Sequence, residues 1–473
     1  MSPARSSTTK SPMPARWSAI AIPMPLSPAP MIATSVSGTA NLPLLETLSN
    51  IARGGARREV SVGTPPRGCP GPMRAGPGAG SLGDVSFRAA EENPMARMMV
   101  RVLSTALAGA ALTAAAVPAA NAAANAAGPR GSGKGLDAKV QERADKLVAD
   151  GVPGVIVLTR RGGRVAHVTA GVADKATGAP MDARLLFRVA SVTKTFTSTV
   201  VLQLAAEHRL SLDDTVEKWL PGLVRANGND GSRITVRQLL AQTSGLNDYT
   251  PDPRVMSDPS RTWEPAELIA IATEKPPLYA PGTSWNYSNT NYILAGLIIE
   301  KATGHPVGTE FQRRIFTPLH LRHTYYPTTD PGFPGPYVHG YYADYGDVST
   351  QISPSSARTS GGIVSTVDDV ARFHRALFTG RLLPAKQMRE MRTVQPVNDD
   401  GVVEDYGLGA ARITFSCGYG WGHDGGFPGY RTWTYTSADG RRQAIITYNE
   451  SKFEYDKTFR ADLAKAAETA FCG

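Results

Sequence analysis

Three short stretches of this chain hold residues that could share one reaction. Ser191-Val192-Thr193-Lys194 sets a hydroxyl and an amine three positions apart, on one face if the segment is helical. That spacing brings a weak nucleophile within reach of a base. Tyr287-Ser288-Asn289 follows about 95 residues later, and His423-Asp424-Gly425-Gly426 lies near the C-terminus. Acyl transfer requires a nucleophile, a proton acceptor, a donor to the leaving group and an oxyanion hole. Ser191 is the candidate nucleophile. Lys194 is the nearest candidate base, provided burial or neighbouring positive charge lowers its pKa. Tyr287 is a second proton-transfer candidate, whose phenolate would need Lys194 and His423 close in space. Asn289 can hold a substrate amide and orient Lys194. Around His423, Gly425 and Gly426 would let a substrate backbone approach a strand edge. The N–H groups of Ser191 and Gly426 are the candidate oxyanion hole.

Singly, each residue has a plain structural explanation. Ser191 could cap a helix, Lys194 could be solvated, Tyr287 and Asn289 could form a capped turn, and His423 could be a satisfied core histidine. A Ser-x-x-Lys match alone is expected about once or twice by composition in a chain this long. The argument for chemistry rests on the ordered set.

The elements that must position these residues can be read from periodicity. Leu136 to Ala149 has apolar residues at helical spacing. Gly154 to Thr159 and Arg164 to Ala170 read as strands joined by a turn at Arg161-Gly162-Gly163. Ser191 to Glu207 reads as a helix with one apolar face (Val192, Phe196, Val200, Leu204) and Ser191 as its N-cap. Val236–Ala241, Pro265–Thr273, Tyr292–Ala302 and Thr366–Phe378 read as helices separated by Pro/Gly-rich loops. Thr432–Thr436 and Gln443–Asn449 read as strands around the turn Ala438-Asp439-Gly440, and a helix from about Lys457 to Ala470 closes the chain. Strands from both ends with helices between them predict an α/β (α+β) fold: one antiparallel sheet flanked by helices, plus a mostly helical lobe.

Of the 473 residues, the first quarter reads differently. Residues 1–94 are rich in Pro, Ser, Gly and Arg and lack the apolar content to offset ordering entropy. They are expected to be a non-native or disordered extension, with translation starting at Met95, Met98 or Met99. Residues 95–127 have the layout of a secretory signal peptide: Arg97 and Arg101, the uncharged run Val102–Val117, then Ala-Asn-Ala sites. That run is too short for a bilayer span. The expectations are therefore a secreted protein without a stable membrane anchor, a linker at 128–135 and a hydrolase domain at 136–473. Gly128 to Lys134 matches G-x-x-x-x-G-K, but Gly135 follows and no strand precedes, so a phosphate loop is rejected.

The first 127 residues carry six of the nine net positive charges, so the remainder is nearly balanced and nucleic acid is not an expected partner. Cys417 and Cys472 are left in an exported chain, where a bridge would stabilise by about 4 kcal/mol; two buried free thiols are the alternative. No H-E-x-x-H motif or Cys/His cluster is present, so no metal or organic cofactor is implied.

With Phe187 to Lys194 (FRVASVTK), Asn286 to Asn291 (NYSNTN), Ile299 to Leu319 and Phe471-Cys472-Gly473, the chain resembles the class C β-lactamase and DD-peptidase family over residues 136–473. It is most similar to the secreted serine-type D-alanyl-D-alanine carboxypeptidase/transpeptidase type. The resemblance implies Ser191 as the acylated residue, Lys194 and Tyr287 as proton-transfer partners, Asn289 as substrate holder, and His423 where other members carry Lys. It also implies a Cys417–Cys472 disulfide, β-lactams and peptidoglycan stem peptides as ligands, and a monomer. The chain departs from that type at Asp424 and Gly426, where hydroxyls help hold a substrate carboxylate, and at Ala411, where an Arg grips it. Arg412 is adjacent, but one step along a strand faces the other way. An ionised Asp424 would repel an anionic substrate end. Gln242 stands where many relatives carry His. The expected function is a D-Ala-D-Ala carboxypeptidase acting through a Ser acyl-enzyme. The alternatives are an esterase or D-aminopeptidase/amidase and, third, a β-lactam sensor without turnover.

Overall fold

The computed structural model describes residues 133–399, 402–452 and 457–473. The expected extension, the signal peptide and residues 128–132 of the linker lie outside the described residues. Residues 133–135 open a helix instead of belonging to a linker.

That helix is α1 (Gly133–Ala149). It leads into the hairpin β1 (Gly154–Arg161) and β2 (Arg164–Gly171). The helical lobe follows. Its main helices are α2 (Thr193–Ala206), α3 (Val236–Leu240), α4 (Pro265–Thr273) and α5 (Asn289–Thr303). Then come α6 (Val367–Phe378) and seven strands: β3 (Gln395–Asp399), β4 (Val402–Tyr406), β5 (Ala411–Phe415), β6 (Gly418–Gly422), β7 (Asp424–Phe427), β8 (Tyr430–Thr436) and β9 (Arg442–Tyr448). Helix α7 (Lys457–Cys472) ends the chain. The strands form one antiparallel sheet in the order β2-β1-β9-β8-β6-β5-β4-β3, and β7 pairs with β8 in line with β6.

The sheet is covered on both faces, which explains why β1 (Gly-Val-Ile-Val-Leu-Thr) is apolar at nearly every position. Val155 and Val157 pack with α1 and α7 through Val140, Ala144, Ala466 and Ala470. Ile156 and Leu158 point the other way, into the larger core shared with α2, α5 and α6. The sheet thus lies between two layers of helices, with the helical lobe on the Ile156 and Leu158 side.

Two local expectations are corrected. Ser191 does not cap α2. It lies in a 3₁₀ turn (Ala190–Val192), Val192 holds the cap position, and no side chain caps there. Nor does α2 show one apolar face and one wet face, because Thr193 to Leu202 are all buried. Its threonines bond instead to α2's own turn or to neighbouring backbone, including Thr195 Oγ1 to Gly409 O at 2.8 Å. Helix α5 starts three residues earlier than periodicity predicts, which places Asn289 in its first turn. Cys417 and Cys472 are bridged, tying the β5–β6 turn to the end of α7. No described helix is long and apolar enough to cross a membrane.

Candidate active site

The turn holding Ser191 is set by its surroundings rather than by helix propensity. Ala190 has φ +53°, a left-handed conformation that costs a non-glycine residue of order 1–3 kcal/mol. It is held from two sides. Val189 N donates to Ile363 O at 3.0 Å, and the backbone of Gly425 lies directly over the turn. A Cβ on Gly425 would fall 2.4 Å from Val189 O and 3.3 Å from Ser191 N, so only glycine fits. The contact brings strand β7 onto the N–H of Ser191.

Lys194 is wholly buried one turn along α2. Its Nζ lies 3.2 Å from Ser191 Oγ, 2.7 Å from Asn289 Oδ1 and 2.8 Å from Ser360 O. Burial lowers its pKa to about 7, against the opposing pull of Asp248 and Asp424. Two of its three neighbours can only accept a hydrogen bond. A neutral amine therefore spends its two N–H groups on Asn289 and Ser360, and its lone pair is left facing the Ser191 hydroxyl. α2 itself brings in the Ser360 carbonyl: Thr197 Oγ1 donates to Thr359 O at 2.8 Å, and Ile363 N donates to Thr193 Oγ1 at 3.1 Å.

Asn289 is oriented by Asp248, which accepts from Asn289 Nδ2 (3.1 Å) and Asn289 N (3.2 Å). Desolvation raises the pKa of Asp248, partly offset by hydrogen bonds from Thr250 and by Lys194. Gln242 brackets Tyr287. Its carbonyl accepts from Asn286 N at 3.0 Å, and its Oε1 accepts from Ser288 N at 3.1 Å and Asn291 Nδ2 at 2.6 Å. Gln242 itself is held at φ +63°.

The Tyr287 hydroxyl is buried and faces the Ser191 side chain, whose hydrogen bond favours the phenolate without offsetting the cost of burial. Its pKa is pushed well up, first by desolvation and then by Asp424, so it is a phenol at neutral pH. Lys194 Nζ sits 4.7 Å from the ring centroid. The His423 ring is also near, 6.3 Å between centroids. Burial lowers the His423 pKa to about 4, so this ring is neutral. Its Nδ1 meets the carbonyl of Asp424, which can only accept, so Nδ1 carries the proton and Nε2 accepts from Tyr406 O–H at 2.9 Å. His423 therefore supplies no positive charge to a Tyr287 phenolate, contrary to expectation. Lys194 is the remaining cation beside the phenol.

His423 stands between β6 and β7, opposite Thr434, with the register of both strands against β8 unbroken. Thr434 Oγ1 accepts from His423 N (2.9 Å) and donates to His423 O (2.8 Å). Trp285, Tyr287, Tyr406 and Ala411 form an apolar wall beside it. Arg412 is engaged with Asp405 at 2.7 Å, away from that wall. Ser191, Lys194, Tyr287, Asn289, His423, Gly425 and Gly426 are thus gathered where the helical lobe meets the sheet. Asp248, Gln242, the Ser360 carbonyl and Tyr406 were not foreseen from sequence in these positions. Among the described residues no cluster of three or more His, Cys, Asp or Glu side chains could hold a metal.

This fold, with a buried Ser–Lys pair and a Tyr from a second segment, is that of an active-site serine hydrolase. The chain matches the family model described as Beta-lactamase over residues 136–468, and it belongs to that family. A D-stereospecific amidohydrolase from Streptomyces sp. shares 40% identity and a TM-score of 0.64, over 69% of this chain and 98% of that one. Penicillin-binding protein 4* of Bacillus subtilis is 28% identical over 336 residues, 67% of this chain and 72% of its own length. Esterase EstB of Burkholderia gladioli is 34% identical over 200 residues, 40% of this chain and half of its own.

Proposed function

We propose that this chain is a serine amidohydrolase that cleaves amide bonds of D-amino acids, in amides or short peptides, through an acyl-enzyme on Ser191. The observation that carries the reading is the Ser191–Lys194 pair: a hydroxyl 3.2 Å from a buried amine whose pKa is lowered to about 7. Ser191 Oγ attacks the substrate carbonyl carbon while its proton passes to the Lys194 lone pair. The oxyanion is received by the N–H groups of Ser191 and Gly426. The C–N bond then breaks, and the leaving amine takes a proton from the Tyr287 phenol, which Lys194 reprotonates. Water next attacks the Ser191 ester, its proton returns by the same groups, and the acid leaves.

The D-configured amide substrate is supported by the 40% identity to the Streptomyces amidohydrolase along nearly all of that protein. D-Ala-D-Ala carboxypeptidase activity on peptidoglycan stem peptides, with acylation by β-lactams, is the second reading. The penicillin-binding relative favours it. The positions Ala411, Asp424 and Gly426, which offer no carboxylate-holding side chain, weigh against it. EstB motivates ester cleavage as a third substrate class for the same acyl-enzyme. Export belongs to this reading on the strength of the 95–127 pattern alone.

The test is a substrate panel combined with intact-protein mass spectrometry. D-amino acid amides should turn over, L-enantiomers should not, and the adduct should sit on Ser191. Ser191→Ala should abolish both adduct and turnover. Turnover of D-Ala-D-Ala peptides without amide turnover would replace the first reading by the second. A permanent penicillin adduct with no turnover of any substrate would indicate a sensor.

A further inference from the structure

Strand β8 holds a charge that the chemistry above leaves unused. Arg431 is 4% exposed. Its Nε is buried without a hydrogen-bond partner, and among the described residues no carboxylate or carbonyl receives its guanidinium. Buried Arg188 is different, because it donates to Pro331 O at 2.6 Å and Ser349 O at 3.0 Å. A buried, unpaired guanidinium is costly, and an anion that completes it recovers much of that cost.

Its position says which anion. Arg431 is the cross-strand partner of Gly426 in the β7–β8 pair. A Cβ on Gly426 would lie 2.6 Å from Arg431 Nη1 and 3.1 Å from Cζ. The guanidinium therefore fills the space that a side chain at 426 would take. Nη1 then lies within about 5 Å of Gly426 N, since a Cβ and the N of its own residue are about 2.5 Å apart. The opposite face of the strand is the one pressed on Ser191, through Gly425. An anionic group a few bonds from a carbonyl seated on Ser191 N and Gly426 N would reach the guanidinium.

We propose that Arg431 anchors a carboxylate on the leaving-group side of the substrate. It would replace, from the neighbouring strand, the side-chain grip missing at Ala411, Asp424 and Gly426. Arg is suited to this because its planar fork matches a carboxylate bidentately. Gly426 is what admits it, since any side chain there would occupy the same volume. The inference rests on the Ser191 acyl-enzyme reading and narrows it: among D-configured substrates, short peptides ending in a free carboxylate are preferred to their amidated counterparts. Asp424 shares the strand face with Gly426 and opposes the anchor, which limits its strength.

The test compares a D,D-dipeptide carrying a free C-terminal carboxylate with the same dipeptide amidated at its C-terminus. In the wild type, kcat/KM should favour the free carboxylate. Arg431→Gln should raise KM for the free peptide at least tenfold and leave kcat/KM for the amidated one within about twofold, which also shows that the variant is folded. Arg431→Lys should keep part of the preference, and Asp424→Asn should increase it. Equal losses on both peptides in Arg431→Gln, or no loss on either, would overturn the anchor. A wild type that turns over D-amino acid amides but ignores the C-terminal charge would refute the anchor and leave the functional reading standing. Absence of any turnover and of any Ser191 adduct would remove that reading, and the anchor with it.

Discussion

The charge on Asp248 should set the acid limb of the pH–rate profile. Asn289 links the two groups: Lys194 Nζ is 2.7 Å from Asn289 Oδ1, and Asn289 Nδ2 is 3.1 Å from Asp248 Oδ2. The amine and carboxylate are therefore within about 8 Å of each other. Unit charges at that separation interact by roughly 0.5 kcal/mol in water and roughly 2 kcal/mol at an effective dielectric constant of 20. At about 1.4 kcal/mol per pH unit, Asp248→Asn should move the Lys194 pKa by roughly one unit. The sign is fixed. Asp248 favours the ammonium, so its removal lowers the pKa below the present value of about 7. The free amine is the active form, so the acid limb of kcat/KM moves to lower pH. Asparagine keeps the shape and an acceptor for Asn289 N but loses the bond from Asn289 Nδ2, so kcat should fall as well, and the position of the limb rather than its height is the readout. The measurement is kcat/KM on one neutral amide between pH 4 and 9, wild type against variant. A limb that stays in place or moves upward would refute Lys194 as the base. So would a wild-type limb far above 7, because a phenol as deeply buried as Tyr287 ionises only in alkali.

Two further outcomes follow from buried polar groups. Gln242→Met removes the acceptor for Ser288 N and Asn291 Nδ2 and frees the backbone on one side of Tyr287. It should lower kcat about tenfold with a smaller change in KM, and Gln242→His should recover part of the loss because an imidazole can also accept; a KM-only effect would contradict a role in placing Tyr287. His374 is fully buried, neither ring nitrogen has a hydrogen-bond partner among the described residues, and desolvation lowers its pKa to about 3. Its unfolded pKa is about 6.5, so the unfolded state binds the extra proton and stability falls as pH drops below 6.5, by about 1.4 kcal/mol per unit. Melting temperatures of His374→Leu should fall less than those of the wild type between pH 6.5 and 4.5, and parallel curves would contradict this.

Much of the site was legible because the chemistry demands particular residue types in particular order. Ser191, Lys194, Tyr287 and Asn289 lie together in the structure, and the strands at 154–161, 164–171, 430–436 and 442–448 follow their apolar runs. What was not legible depends on tertiary placement. The Ser360 carbonyl has no residue-type signature. Asp248 sits in a loop of polar residues where nothing marks one carboxylate from another. The neutrality of His423 comes from its burial and the Asp424 carbonyl, which one-dimensional spacing cannot report. β6 was hidden because Gly418-Tyr-Gly-Trp-Gly has the composition of a loop. Yet a Cβ on Gly422 would fall 1.6 Å from Thr434 O, so glycine is what lets that strand approach its neighbour. The α2 helix was misread as amphipathic because its threonines look polar, whereas they are buried and bonded to backbone.

These details bear on how substrate choice can change without touching the nucleophile. The Ser191 turn is held by contacts that need only backbone and a hydrogen atom: Val189 N on Ile363 O, and Gly425 over Ser191 N. Positions 424 and 426 lie on the opposite face of β7 from Gly425, so their side chains can vary without disturbing that turn. Placing a carboxylate at 424 and nothing at 426 changes the charge presented to the substrate and opens a volume that Arg431 fills from β8. The glycine that braces the Ser191 turn and the positions free to vary thus alternate along one four-residue strand. Substitutions at 424, 426 and 431 should therefore shift preference among amides, peptides and esters far more than they shift the rate at which Ser191 is acylated by a small neutral substrate.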